Sequence, residues 1–194
     1  MRSRGSPESR GIGDFLSDLI GRKKGLLIEQ EAPWLIPELP ERGKILDAGA
    51  GEGDWSRAFA ERGFEVDALE IDENSIGGGR KNWKNVNLIK EDVITFVRPQ
   101  EYDVIWANFL LNNLMPEEIL ITLDNFYQSL RNDGLLSGHL RFKNNEEEEA
   151  FCSQLEKAGF SVKLFDKLEF DDDLIAPDPS DRYESVFKIV ARKA

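Results

Sequence analysis

The residues best placed to do chemistry in this chain are acids that close short apolar runs, together with one cluster of glycines. Ile45-Leu46-Asp47-Ala48-Gly49-Ala50-Gly51-Glu52-Gly53 passes from a buried-strand pattern into a turn, and a helical pattern begins near Asp54. Glycines at such a junction let the backbone turn sharply and come close to a ligand with no Cβ in the way. The free N–H groups of the following helix then point at whatever lies over the turn. The spacing is Gly-x-Gly-x-Gly with an acid two residues ahead, whereas a dinucleotide-binding turn prefers Gly-x-Gly-x-x-Gly. Asp47 sharpens the distinction. A carboxylate at the end of a first strand can accept the turn's N–H bonds and can face a cationic amino group, but it would repel a pyrophosphate.

Two further strand ends carry acids. Val66-Asp67-Ala68-Leu69-Glu70-Ile71-Asp72 ends in carboxylates about 20 residues after the glycine cluster begins, the separation expected of a ribose-binding acid. Such a group accepts from both ribose hydroxyls at once. Asp72 suits a helix cap better. A third run closes with Glu91-Asp92-Val93, a weaker signal taken alone. Three acids at three consecutive strand ends together describe a nucleoside pocket at the carboxyl edge of an open α/β sheet.

The elements that must hold these residues are legible from periodicity. Strand patterns fall at Lys44–Ala48, Glu65–Ile71, Val86–Lys90, Tyr102–Ala107, Leu135–Phe142, Ser161–Phe170 and Ser185–Ala191. Helical patterns fall at Asp54–Arg62, from Glu73 through Ile76, at Pro116–Arg131 and at Asn145–Ala158. The alternation predicts a doubly wound α/β domain with a mostly parallel seven-stranded sheet and helices on both faces. No helix separates the last two strands, so the final one is expected to run antiparallel. Pro116 suits a first helical turn. Asn144 or Asn145 can cap the next helix, with Glu146–Glu149 near its positive end and Gly159 as its stop. Gly77, Gly78 and Gly79 interrupt the helix after the second strand, at about 1 kcal/mol each relative to alanine.

Composition narrows the function. A single cysteine, Cys152, and a single histidine, His139, exclude an internal disulfide and leave a Cys/His metal site without ligands, so no metal is expected. The 194 residues suit one domain, and a net charge of -12 disfavours a nucleic-acid partner. No apolar run approaches the roughly 18 residues needed to span a bilayer, and no apolar stretch follows the early arginines, so a cytoplasmic protein is expected. The first 25 residues hold six basic and three acidic residues. Residues 1–12 read as a disordered basic tail, and residues 13–43, with apolar Phe15, Leu16, Leu19 and Ile20 at helical spacing, as a helix and lid ahead of the main domain at 44–194.

The acid-x-Gly-x-Gly-x-Gly turn and the acids that follow make the chain resemble the class I S-adenosylmethionine-dependent methyltransferase family, over roughly Lys44 to Ala194. The resemblance implies S-adenosyl-L-methionine as cofactor. It implies that Asp47, Gly49, Gly51 and Gly53 hold its methionine part, Glu70 its ribose, and Ile71 its adenine. Asp92 and Val93 would bond the adenine amino group and a ring nitrogen, and Asn108, closing the fourth strand, would lie beside the transferable methyl.

Departures from family patterns matter as much. Asn108-Phe109-Leu110-Leu111 lacks the Pro-Pro of the nucleic-acid amino methyltransferases, and Asn108 is not the aspartate of a metal-dependent catechol-type enzyme. Asn112 and Asn113 stand where many small-molecule members carry histidines. His139 and Arg141 share one side of the fifth strand and could approach the acceptor from its end, but a lone strand histidine is more often structural, and no catalytic residue is nominated. Trp34, Trp55, Trp83 and Trp106 are expected to serve mainly as packing. The reading is a methyltransferase acting on a small-molecule acceptor. Its alternatives are methylation of a protein or peptide, or a catalytically silent cofactor-binding partner domain. The acceptor and the oligomeric state are left open.

Overall fold

The lead-in to the first strand packs Ile28, Ala32 and Leu35 inward, and its prolines keep it from forming one continuous helix. It forms a short helix α1 (Leu27–Glu31) and a 3-10 turn (Pro33–Glu38). The computed structural model describes residues 27–72, 75, 83–168 and 185–193. The expected basic tail, the Asp14–Ile20 stretch, the glycine-interrupted helix after Glu73 and the loop around Asp171–Asp173 lie outside the described residues.

From Lys44 the chain alternates as its periodicity predicts. β1 (Lys44–Ala48) leads into α2 (Asp54–Glu61), then β2 (Glu65–Leu69), β3 (Val86–Ile89) and β4 (Tyr102–Trp106). α3 (Pro116–Ser129), β5 (Leu130–Phe142), α4 (Asn145–Lys157), β6 (Phe160–Leu168) and β7 (Ser185–Lys193) follow. The seven strands form one sheet in the order β3-β2-β1-β4-β5-β7-β6. β1 pairs in parallel with β2 and β4, β2 with β3, and β4 with β5. β7 runs antiparallel to both β5 and β6, as expected for the final strand. The chain therefore steps outward in opposite directions from β1 and from β4. That reversal opens a crevice at the carboxyl ends of these two strands, where open α/β sheets hold ligands.

Alternate residues of each strand feed opposite faces. Leu46, Ile105 and Leu136 join Phe126 of α3 and Leu155 of α4 on one side. Ile45, Val104 and Trp106 join Ile28, Leu35 and Phe59 on the other. The helix ends use the signals anticipated for them. Pro116 opens α3, whose Glu118 carboxylate accepts from the Met115 N–H at 2.8 Å. Of the two candidate caps for α4, Asn144 is the one used: its Oδ1 accepts from Glu147 N–H at 2.9 Å, and Gly159 ends the turn at φ +92°.

Most boundaries shift by no more than about two residues, but one differs by more. β5 begins at Leu130 rather than Leu135, because α3 stops at Ser129. Arg131–Gly134 form an irregular stretch with Asp133 at φ +60°, and the register slips between the pairs Tyr102↔Leu130 and Val104↔Leu135. A bulge of polar residues carries no period-2 signal, so periodicity passes over it.

Toward the amino ends of the strands the sheet is closed by charge. Asp67, 4% exposed, accepts from Tyr102 OH at 2.7 Å and Asn87 Nδ2 at 2.9 Å, and pairs with Lys44 Nζ at 2.8 Å. Lys44 also binds Glu101. Burial alone would raise the Asp67 pKa, but these donors outweigh it and hold the carboxyl below its usual range. Burial beside the Asp67 carboxylate drives the Tyr102 phenol far above its ordinary value.

Candidate cofactor and acceptor site

At the carboxyl edge of β1 the backbone takes left-handed angles at Gly49 (φ +70°), Gly51 (φ +49°) and Gly53 (φ +76°). The three have different local reasons. A Cβ on Gly49 would lie 2.8 Å from Leu110 Cδ1, so this glycine lets the turn pack under the segment following β4. Gly53 caps α2 without a side chain of its own. A Cβ on Gly51 would meet nothing within 4 Å. At Gly51 the glycine serves the turn and an open space above it, the form of a cradle for a bound group.

The strand ends tie this turn together. Gly49 and Ala50 donate to the Leu69 carbonyl, each at 2.9 Å. Glu70 Oε2 accepts from Gly51 N–H at 2.9 Å, while Oε1 accepts from Ile71 and Asp72 N–H at 2.9 and 3.0 Å. The carboxylate is thus fixed in orientation, and each oxygen keeps lone-pair capacity for further donors. Beside it Ile71 is 61% exposed, a large apolar side chain left on the surface at this edge. Asp72 accepts from Ser75 Oγ at 3.2 Å. Asp92 caps its own turn, accepting from Ile94 N–H at 2.9 Å, with Val93 buried next to it.

Asp47 sits deeper than its neighbours, 2% exposed, and accepts from Ser56 Oγ at 2.5 Å. That bond joins the end of β1 to the first turn of α2 and holds the two sides of the glycine loop at a fixed separation. Ser56 escapes sequence reasoning, since a serine within a helix carries no signal of a partner nine residues earlier.

Beyond β4 the chain passes into Asn108 and Phe109, the latter at φ +52°, an uncommon angle for a bulky residue. Phe109 N–H donates to the His139 carbonyl at 3.0 Å, and Ala107 N–H to that of Ser137 at 2.8 Å. These bonds prolong the β4–β5 ladder past the strand itself. Gly138 permits this approach, because a Cβ there would lie 2.2 Å from the Ala107 carbonyl oxygen. Asn112 Oδ1 accepts from Arg141 N–H at 2.9 Å, so it braces the end of β5, and Asn113 Nδ2 donates to the Phe109 carbonyl at 3.1 Å.

His139 is 6% exposed, with its Nδ1 2.7 Å from Asn108 Oδ1. Three of the four tryptophans surround it. Trp34 and Trp106 meet it edge-on at 5.6 Å, and Trp55 lies at 6.4 Å. Phe109 stacks on it at 5.4 Å, and the Arg141 guanidinium lies 4.2 Å from the centre of the Phe109 ring. Burial pushes the imidazole down to about 4, against the pull of the Glu31 backbone carbonyl, so the ring is neutral near pH 7. A deeply buried imidazole is poorly placed to take a proton from an acceptor.

The glycine turn, the three strand-end acids and Asn108 therefore fall along one carboxyl edge, at the reversal of strand order. Among the described residues no group of His, Cys, Asp and Glu is arranged to hold a metal. Fold and edge are those of a doubly wound α/β domain with its ligand crevice at the carboxyl ends of the strands. Residues 46–136 match the sequence profile of a family described as a methyltransferase domain.

YqeM of Bacillus subtilis, whose methyltransferase role is itself provisional, is 27% identical over 71% of this chain and 60% of its own length. The ribosomal protein L11 methyltransferase of Anoxybacillus flavithermus is 32% identical over 61% of this chain and 38% of its own. The chain thus spans less than two thirds of either relative. Among solved structures, the 1,6-didemethyltoxoflavin-N1-methyltransferase of Burkholderia thailandensis, with bound 1,6-didemethyltoxoflavin and S-adenosylhomocysteine, shares the fold. Its TM-score is 0.65 at 19% identity, covering 100% of this chain and 93% of that one.

Proposed function

We propose that the protein binds S-adenosylmethionine over the glycine turn and transfers its methyl group to a small-molecule acceptor by in-line displacement. The observation that carries this is the open space above Gly51, bounded by a Glu70 carboxylate already oriented by the Gly51 N–H. A cradle with an acid beside it suits a cationic aminoacyl nucleoside better than a diphosphate.

When bound, the cofactor supplies a methyl group already activated on sulfur, so the protein's work is alignment and exclusion of water. Asp47 and Ser56 keep the turn at its width. Glu70 and Asp92 offer lone pairs to ribose and adenine donors, Ile71 and Val93 offer apolar surface to the ring, and Asn108 borders the transfer point. No side chain is required to act as a base.

The small-molecule reading is supported by a compact acidic domain and by the toxoflavin-type neighbour. Methylation of a protein side chain is the second reading, favoured by the L11-methylating relative. Titration calorimetry with S-adenosylhomocysteine should give heat where NAD gives none, and binding of NAD alone would overturn the assignment. Incubation with labelled methyl donor and a metabolite extract then separates the acceptors. Label found only in macromolecules would eliminate the small-molecule reading, and no label in either fraction would favour a silent binding domain.

A further inference from the structure

Charge along the carboxyl edge is sorted by strand. The ends of β1, β2 and β3 bring Asp47, Glu70 and Asp92, with Lys90 exposed and Glu91 paired to Arg98 beside the last. After β4 comes the neutral Asn108, and near the end of β5 stands Arg141. Across the reversal of strand order the edge thus passes from acids to a cation. The acids suit a cationic cofactor, and the cation suits an anion.

The place of Arg141 is set by its backbone. Phe109 N–H bonds the His139 carbonyl, so Arg141 stands two residues further along β5, roughly 7 Å at strand spacing. Asn112 grips it on both sides, accepting from its N–H at 2.9 Å and donating to its carbonyl. The next residue, Phe142, joins Phe151 and Leu155 of α4 on one face of the sheet, the face where the Glu146–Glu149 helix packs. Arg141 alternates onto the other face. There its guanidinium lies 4.2 Å from the centre of the Phe109 ring, at the edge of the cage that Trp34, Trp55, Trp106 and Phe109 form around His139. A ring contact uses the face of a guanidinium and none of its N–H donors. In the same cage the indole N–H groups of Trp34 and Trp106 are buried with no acceptor among the described residues. Two buried indole donors and a guanidinium describe a corner that an oxygen-bearing anion satisfies.

We propose that Arg141 determines acceptor specificity by anchoring a carboxylate of the small-molecule acceptor. A guanidinium fork matches a carboxylate with two parallel hydrogen bonds. A phosphate dianion would call for a second cation, but Lys188 is engaged by Asp166 at 3.1 Å and Lys143 is exposed past the strand end. The carboxylate is an anchor and is not itself methylated. Another nucleophilic atom of the acceptor bonds the methyl carbon at the transfer point bordered by Asn108. The methyl–sulfur bond breaks with its electron pair left on sulfur, and any proton on the accepting atom passes to solvent. The proposal rests on the cofactor reading above and adds to it the chemical class of the acceptor.

To test it, a metabolite extract is separated on an anion exchanger near neutral pH. Each fraction is then incubated with the protein and methyl-labelled S-adenosylmethionine. Label should enter only from the retained fraction, and phosphatase treatment of that fraction should leave labelling intact. Arg141→Gln should raise the amount of active fraction needed for half-maximal rate about tenfold to hundredfold, the worth of charge-assisted bonds. Arg141→Lys should recover part of the loss, since it keeps the charge without the fork. Label arising from the unretained fraction, from macromolecules or from no fraction overturns the proposal. So does loss of labelling after phosphatase, or an Arg141→Gln protein as responsive as the unmutated one.

Calorimetry with S-adenosylhomocysteine keeps this proposal separate from the cofactor reading. Affinity should be unchanged in both variants, and a parallel loss in Arg141→Gln would mean that Arg141 serves the cofactor or the fold instead. Absence of heat with the unmutated protein sinks the cofactor reading itself. If thermal unfolding shows that Arg141→Gln does not fold, Arg141→Lys and the charge of the active fraction decide the matter.

Discussion

The two ends of the sheet handle polar groups in opposite ways. Toward the amino ends, Asp67, Lys44, Tyr102, Asn87 and Glu101 satisfy one another, and every Asp67 oxygen has a donor from this chain. At the carboxyl edge Glu70 and Asp92 accept from backbone N–H groups, Ile71 stands exposed, and Gly51 borders empty space. Left-handed angles occur near both ends, and at the carboxyl edge one of them falls on a bulky residue, Phe109. Backbone strain and unfilled hydrogen-bond capacity cost stability, and they persist where a ligand gives them a use. One end is finished by folding; the other is arranged for something that arrives later.

Substitutions at each end should show that division. Gly51→Val should remove measurable S-adenosylhomocysteine binding, a loss beyond a hundredfold, because the branched side chain projects into the open cradle. The fold should survive, with a cost of about 1–2 kcal/mol for a left-handed non-glycine residue, and retained affinity in calorimetry would refute the placement of the cofactor. Asp67→Ala should do the reverse. It strands a buried phenol and an ammonium and should lower stability by about 3 kcal/mol in urea unfolding, with cofactor affinity unchanged. A fall in affinity of similar size would erase the contrast between the ends.

The smallest effect concerns acid. Burial holds the His139 imidazole down to about 4, below its ordinary 6.5, so the unfolded chain binds the proton more readily. Stability contributed by the neutral ring is complete above the unfolded value and is lost as pH falls from 6.5 toward 4. Between pH 7 and pH 5 the unmutated protein should therefore lose about 2 kcal/mol more than His139→Phe. Equal losses in the two proteins would show that the cage does not exclude the charged ring.

Much of the fold was legible because its signals are local. β1 follows from Lys44–Ala48 residue for residue, and Pro116, Asn144 and Gly159 mark helix ends through the backbone angles and donors their own side chains dictate. The start of β5 was missed for the same reason inverted, since the bulge at Arg131–Gly134 depends on its register with β4 rather than on any local pattern. The row of acids at strand ends was readable because chain order alone carries parallel strand ends to one edge. The contacts that shape this edge were not. Asp47 with Ser56, Gly49 against Leu110, and His139 with Asn108 join residues whose types reveal nothing until the strands pair. The tryptophans were expected as packing, and three of them do pack, but around an imidazole that no spacing rule connects to them.

The position of β7 has a consequence for how the domain is made. Because β7 lies between β5 and β6, β6 is synthesised before the strand it will pair with. At about 5–20 residues per second, the edges of β5 and β6 stay uncovered for roughly a few seconds on the ribosome. During that interval the nascent chain presents two unpaired strand edges, and one insertion closes both.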